Sequence, residues 1–181
     1  NLALPSITAS GMLKIIATGA ITQQSGSSLH ANGTATFNSG TSITLESGNN
    51  DFVGAVTLKT AGANNVSIND ANAIIIASSN VGSGTLNISA VGISQTGPII
   101  QEAGAGTASF NAGTGALNLS NSSNDFTGTV SLFNSGSSTV QLADANALQL
   151  GTVTTGGMTS ITAKGALTAS NSGTIANSAA L

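Results

Sequence analysis

The chain repeats itself at a spacing of 74 residues, and this constrains its fold more than any other feature. Asn50-Asp51-Phe52-Val53-Gly54-Ala55-Val56 returns as Asn124-Asp125-Phe126-Thr127-Gly128-Thr129-Val130, and 125 − 51 = 74. Asp70-Ala71-Asn72-Ala73-Ile74 returns as Asp144-Ala145-Asn146-Ala147-Leu148 at the same shift, 144 − 70 = 74. Phe37-Asn38 returns as Phe110-Asn111 at 110 − 37 = 73, and Met12 to Gly19 matches Met158 to Gly165 two periods on, at 158 − 12 = 146. Repeats of this length are units that bury their apolar faces only by stacking on neighbours. Residues 1–181 therefore read as a single solenoid: a partial repeat 1–10, full repeats 11–83 and 84–157, and a partial repeat 158–181. Neither end carries a charged or helical cap, so the piece is expected to associate end to end, as part of a longer filament.

The local pattern has period two. Leu13/Ile15, Ile43/Leu45, Val56/Leu58, Val66/Ile68, Leu86/Ile88 and Leu117/Leu119 each place two apolar side chains on one face of a strand. Residues between them, such as Thr57, should face outward. Gly, Asn, Ser and Asp fill the gaps and supply turns, and no stretch has a helical period with caps. Short strands without intervening helices predict an all-β chain, a parallel β-helix (β-solenoid), with right-handed winding as the usual sense of parallel connections. Asp51 and Asp70 lie 70 − 51 = 19 apart, and 74/4 = 18.5, so the expectation is four coils of roughly 18–19 residues per repeat.

Composition narrows the function. Only 5% of residues are charged; Lys14, Lys59 and Lys164 are the only cations apart from His30 and the chain terminus, and the net charge is −3. Nothing here neutralises a phosphate backbone, so no nucleic-acid partner is expected. The chain lacks cysteine, which excludes disulfides and thiolate metal sites and suits export through an oxidising compartment.

Several stretches resemble a known family. Asp144-Ala-Asn-Ala-Leu-Gln-Leu-Gly-Thr-Val-Thr-Thr-Gly-Gly-Met158, Ser160-Ile-Thr-Ala-Lys-Gly-Ala-Leu-Thr168, Gly19-Ala-Ile-Thr-Gln-Gln-Ser-Gly26 and the two Asn-Asp-Phe segments are similar to repeats of filamentous-haemagglutinin-like bacterial surface exoproteins. The resemblance implies a long right-handed β-helix projecting from a Gram-negative outer membrane, exported by an outer-membrane partner in a two-partner system. It further implies a secreted or cell-surface location, with repeats that form an adhesin's stalk, adjoin further repeats of the same filament, and leave receptor binding to other regions.

Candidate chemistry is sparse. Asp51, Asp70, Asp125 and Asp144 could pair across coils to hold calcium or to act as acid and base on a glycoside. Because the repeat copies them, they read instead as turn caps that accept backbone N–H bonds. His30 reads as a solvated turn residue without a second ligand for zinc or partners for a triad. The lysines are expected in solvent, and Glu46 and Glu102 have no assigned role. Phe37, Phe52, Phe110 and Phe126 recur with the repeat and read as core; Phe133 has no counterpart and reads as exposed. Asn-x-Ser/Thr triplets at Asn32, Asn65, Asn87, Asn118 and Asn121 are acceptor sequences for glycosylation. Gly104-Ala-Gly106 and Gly156-Gly157 read as turns, not phosphate loops. No catalytic, metal or cofactor site and no enzymatic activity are expected. The alternatives are a carbohydrate-active β-helix, which the scarcity of bases disfavours, and an ice- or surface-binding solenoid. The second would need Thr arrays in register, whereas Ser78 and Asn80 stand where Thr152 and Thr154 recur.

Overall fold

A computed structural model describes residues 1–170 and the strand Ile175–Asn177. The described residues contain strands and turns and no helix. Strands pair in parallel between successive coils, as expected of a parallel β-solenoid, and about eight coils stack. One sheet runs the length of the rod through Leu2–Leu4, Ile21–Gln23, Ile43–Leu45, Val66–Asn69, Leu86–Ser89, Ala108–Asn111, Val130–Asn134, Leu148–Thr155 and Leu167–Ala169. The second sheet includes Leu13–Ala17, Ala35–Ser39, Val56–Lys59, Ile74–Ile76, Ile93–Gln95, Leu117–Leu119, Val140–Asp144 and Thr159–Ala163. A short third sheet pairs Ile7–Ala9, Leu29–Ala31 and Asp51–Phe52.

Burial follows the alternation. Val66 and Ile68 are buried between the buried pairs Ile43/Leu45 and Leu86/Ile88, in register Ile43↔Val66↔Leu86. Apolar columns of this kind join into one core, which no single coil could assemble alone. Phe37 and Phe52 meet edge to face at 5.7 Å, and their copies Phe110 and Phe126 do so at 5.6 Å, all four buried.

The coil is longer than the expected 18–19 residues. Register offsets between paired strands run from 19 (Leu2↔Ile21) to 24 (Ile93↔Leu117). Along the first sheet, seven steps separate Leu2–Leu4 from Leu148–Thr155, so the mean is (148 − 2)/7, about 21 residues. The spacing of 19 between Asp51 and Asp70 misleads because these residues do not share a column: His30↔Asp51 is one column, and Asp70 follows the strand Val66–Asn69 on a different face.

One repeat is three and a half coils, not four. Ile43–Leu45 and Val66–Asn69 lie in the first sheet, yet their copies Leu117–Leu119 and Val140–Asp144 lie in the second. The exchange also runs the other way, since Val56–Lys59 and Ile74–Ile76 of the second sheet are copied as Val130–Asn134 and Leu148–Thr155 of the first. Each repeat thus turns the pattern half-way round the rod, and two repeats restore it after seven coils, about 34 Å at ~4.8 Å per coil.

Where the chain turns between sheets, neighbouring backbones come too close for a side chain. A Cβ on Gly54 would overlap the carbonyl of Gly33, and one on its copy Gly128 would overlap the carbonyl of Gly106. Close approach, rather than a left-handed backbone, explains glycine here.

Candidate functional site

The copied Asn-Asp-Phe segment forms a buried polar corner. Asn50 has no exposed surface. Its Oδ1 accepts from Leu29 N (2.9 Å) and Gln23 Nε2 (2.7 Å). Its Nδ2 donates to Leu45 O (3.1 Å), Asn69 O (3.2 Å) and Gln23 Oε1 (3.0 Å). Asn124 repeats the set with Ile99 N, Gln95, Leu119 O and Ala143 O. A primary amide fits because it offers two acceptor and two donor directions to backbone groups from three coils. Sequence reasoning missed Asn50, Asn124, Gln23 and Gln95. The available signal was that Asn50 and Asn124 lead the copied segment.

Asp70 completes the corner from the next coil. Its Oδ2 accepts from Phe52 N (2.8 Å) and its Oδ1 from Asn72 N (2.8 Å); Asp144 does the same with Phe126 N and Asn146 N. Both are turn caps that also bridge coils. Burial pushes the Asp70 carboxyl above its ordinary 3.8; the N–H bonds from Phe52 and Asn72 pull it back, and the charge of Asp51 pushes it up. The folded chain therefore holds the Asp70 proton more tightly than the unfolded chain does. This stabilising term is full below 3.8 and is lost as pH rises through the raised value.

The two kinds of aspartate should differ on replacement. In Asp70→Asn and Asp144→Asn, the amide NH2 would face a backbone N–H, so each should lose about 1–2 kcal/mol at neutral pH. Asp51→Asn and Asp125→Asn should stay within about 0.5 kcal/mol. The gap in melting temperature between wild type and Asp70→Asn should widen on acidification. Equal losses at all four positions, or a gap that narrows, would contradict this assignment.

Asp51 instead faces outward beside His30. His30 lies on the strand Leu29–Ala31, not in a solvated turn, and its Nδ1 is 3.0 Å from Asp51 Oδ2. The expected 18–19-residue coil hid this pairing, because the real offset between them is 51 − 30 = 21. His30 Nε2 binds Asn32 Oδ1 at 2.9 Å. Thr8, His30 and Asp51 form one column, but the nitrogen turned away from the carboxylate is taken by Asn32. The second copy has Ile100 beside Asp125 instead. Among the described residues, no three His, Asp or Glu side chains group to hold a metal ion.

The remaining candidates stay apart. Lys14, Lys59 and Lys164 are exposed, as are Glu46 and Glu102; Glu102 Oε2 accepts from Gly62 N at 2.9 Å. Asn32, Asn65, Asn87 and Asn118 are exposed and Asn121 is half-buried. Phe133 faces outward and is half-buried.

No curated protein and no solved structure matches the chain. A family model described as repeats of unknown function (DUF5649) matches residues 1–59, 63–133 and 137–181. The second and third matches start 137 − 63 = 74 residues apart, the period found above. With nearly its whole length matched, the chain belongs to this family of repeats of unknown function, DUF5649.

Proposed function

We propose that the chain is a stalk segment of a large secreted bacterial surface adhesin, without catalytic activity, that sets the reach of a binding region elsewhere in the molecule. The supporting observation is what the repeat copies. Copied are the core columns, the paired phenylalanines, the Gln–Asn–Asp corner and the close-approach glycines. The outward neighbour of the copied aspartate is not copied: His30 beside Asp51 becomes Ile100 beside Asp125. Copying the scaffold while the surface varies is what an element of length requires. Freedom from cysteine suits export, and the resemblance to filamentous-haemagglutinin-like repeats supports the surface location and an outer-membrane secretion partner.

Tandem fusion of residues 11–157, two repeats, tests the scaffold. Each added unit should lengthen the rod by about 34 Å at constant cross-section in small-angle scattering. A molecule that thickens instead would refute it. On cells displaying the parent protein, deleting two repeats should shorten the reach of adhesion while preserving secretion. Unchanged reach would rule out the stalk role.

A further inference from the structure

Phe133 is the one phenylalanine that the repeat does not copy and the core does not use. It sits on the outer face of the first sheet, in register with Asn111 and Thr154. The position one repeat earlier is Lys59 (133 − 74 = 59).

The polar surface beside it is organised. Ser67, Asn87, Ser109 and Ser131 form one row of outward side chains running along the rod. Asn69, Ser89, Asn111 and Phe133 form the parallel row next to it. The two rows line an open hollow of about 230 Å³, closed at one end by Glu46, and Phe133 stands one coil beyond the other end. The Ser67, Ser89 and Ser109 hydroxyls and the Asn69 and Asn87 amides have no hydrogen-bond partner among the described residues, while Ser131 Oγ accepts from Thr152 N at 3.2 Å and Asn111 Oδ1 from Gly113 N at 3.1 Å.

We propose that this face binds an extended, uncharged glycan laid along the rod axis. The charge of the face selects the ligand class. Glu46 is its one charged group, and Lys14 and Lys59 lie on strands of the second sheet while Lys164 follows another. An anionic polymer would find no counter-charge here. A neutral polyol matches rows of hydroxyls and amides, each of which can donate and accept. The negative face of the Phe133 ring suits the positively polarised C–H groups on one side of a pyranose. An extended β-1,4-linked glycan advances per sugar by a distance close to the ~4.8 Å coil spacing, so a short oligomer laid along the axis places about one sugar over each rung, alternate sugars being turned over. The proposal goes beyond the stalk reading, because it gives the stalk a ligand of its own.

The test is calorimetric titration of the full chain with cellohexaose and chitohexaose, with maltohexaose and polygalacturonate as comparisons. One or both of the extended neutral hexamers should bind, and the bent maltohexaose and the anionic polymer at least tenfold more weakly. Phe133→Ala, and separately Asn87→Ala, should weaken binding about tenfold or more, while Asn118→Ala on the second sheet leaves it unchanged. Circular dichroism of each variant establishes that the rod is intact. Failure of both extended hexamers to bind at millimolar concentration overturns the proposal. So does equal or tighter binding of maltohexaose or polygalacturonate, or indifference to both face substitutions. A rod that lengthens with added repeats but binds no hexamer would leave the stalk function standing and remove only this inference.

Discussion

Ile88→Asp is expected to cost about 3–5 kcal/mol, because it places an unpaired charge in a column closed on both sides. Ile88 is 2% exposed and sits in register between Ile68 and Phe110, so no water or cation can reach a carboxylate there. Ile15, the second member of the pair Leu13/Ile15 and 88 − 15 = 73 residues earlier, is only half-buried and stacks on Phe37. Ile15→Asp should therefore cost clearly less than Ile88→Asp. Ile16 is 59% exposed and Thr57 is an outward, half-buried residue, so Ile16→Asp and Thr57→Lys should both stay within about 0.5 kcal/mol. Urea-unfolding midpoints of the four variants measure the order. Comparable losses at Ile88 and Thr57 would mean that the strand faces are assigned wrongly.

That order depends on a part of the fold legible in the sequence. Pairs such as Val66/Ile68 and Leu117/Leu119 reveal strand and face together, since side chains in a strand alternate and only one face can be buried. The copied phenylalanines were equally legible, because a large side chain repeated with the scaffold has to be housed by it. Coil length was not. Dividing 74 into whole coils assumes that a repeat returns to its starting face, whereas a rod with two similar sheets permits a half-turn. His30 was misplaced for the same reason, since its neighbour Asp51 is set by the coil length. The polar corner was hidden for a different reason. Asn among Gly and Ser reads as a turn residue, and its burial depends on Gln23, 27 residues away, which no local pattern reveals.

That corner should be the most sensitive polar position in the molecule. Asn50→Leu keeps the branched skeleton, with bulkier methyl groups, but orphans Leu29 N, Leu45 O and Asn69 O and strips Gln23 of its amide partner. Each orphaned buried group costs roughly 1–3 kcal/mol, so the variant should lose at least about 3 kcal/mol. Asn50→Asp should do no better, since its second oxygen would face the two carbonyls that Nδ2 now serves. Asn124→Leu should match Asn50→Leu within about 1 kcal/mol, because the copied corner makes the same bonds through Gln95, Ile99, Leu119 and Ala143. The two losses should add, as the corners lie three and a half coils apart and share no partner. Gln23→Ala should cost less than Asn50→Leu, and the double variant should lose less than the sum, because both remove the same amide pair. Hydrogen exchange gives the local readout. The Leu29 amide should lose protection in Asn50→Leu and keep it in Asn124→Leu, with the reverse at Ile99. Protection that survives at Leu29 in Asn50→Leu would show that the backbone closes the corner without the amide, and that the copied asparagine is kept for its turn alone.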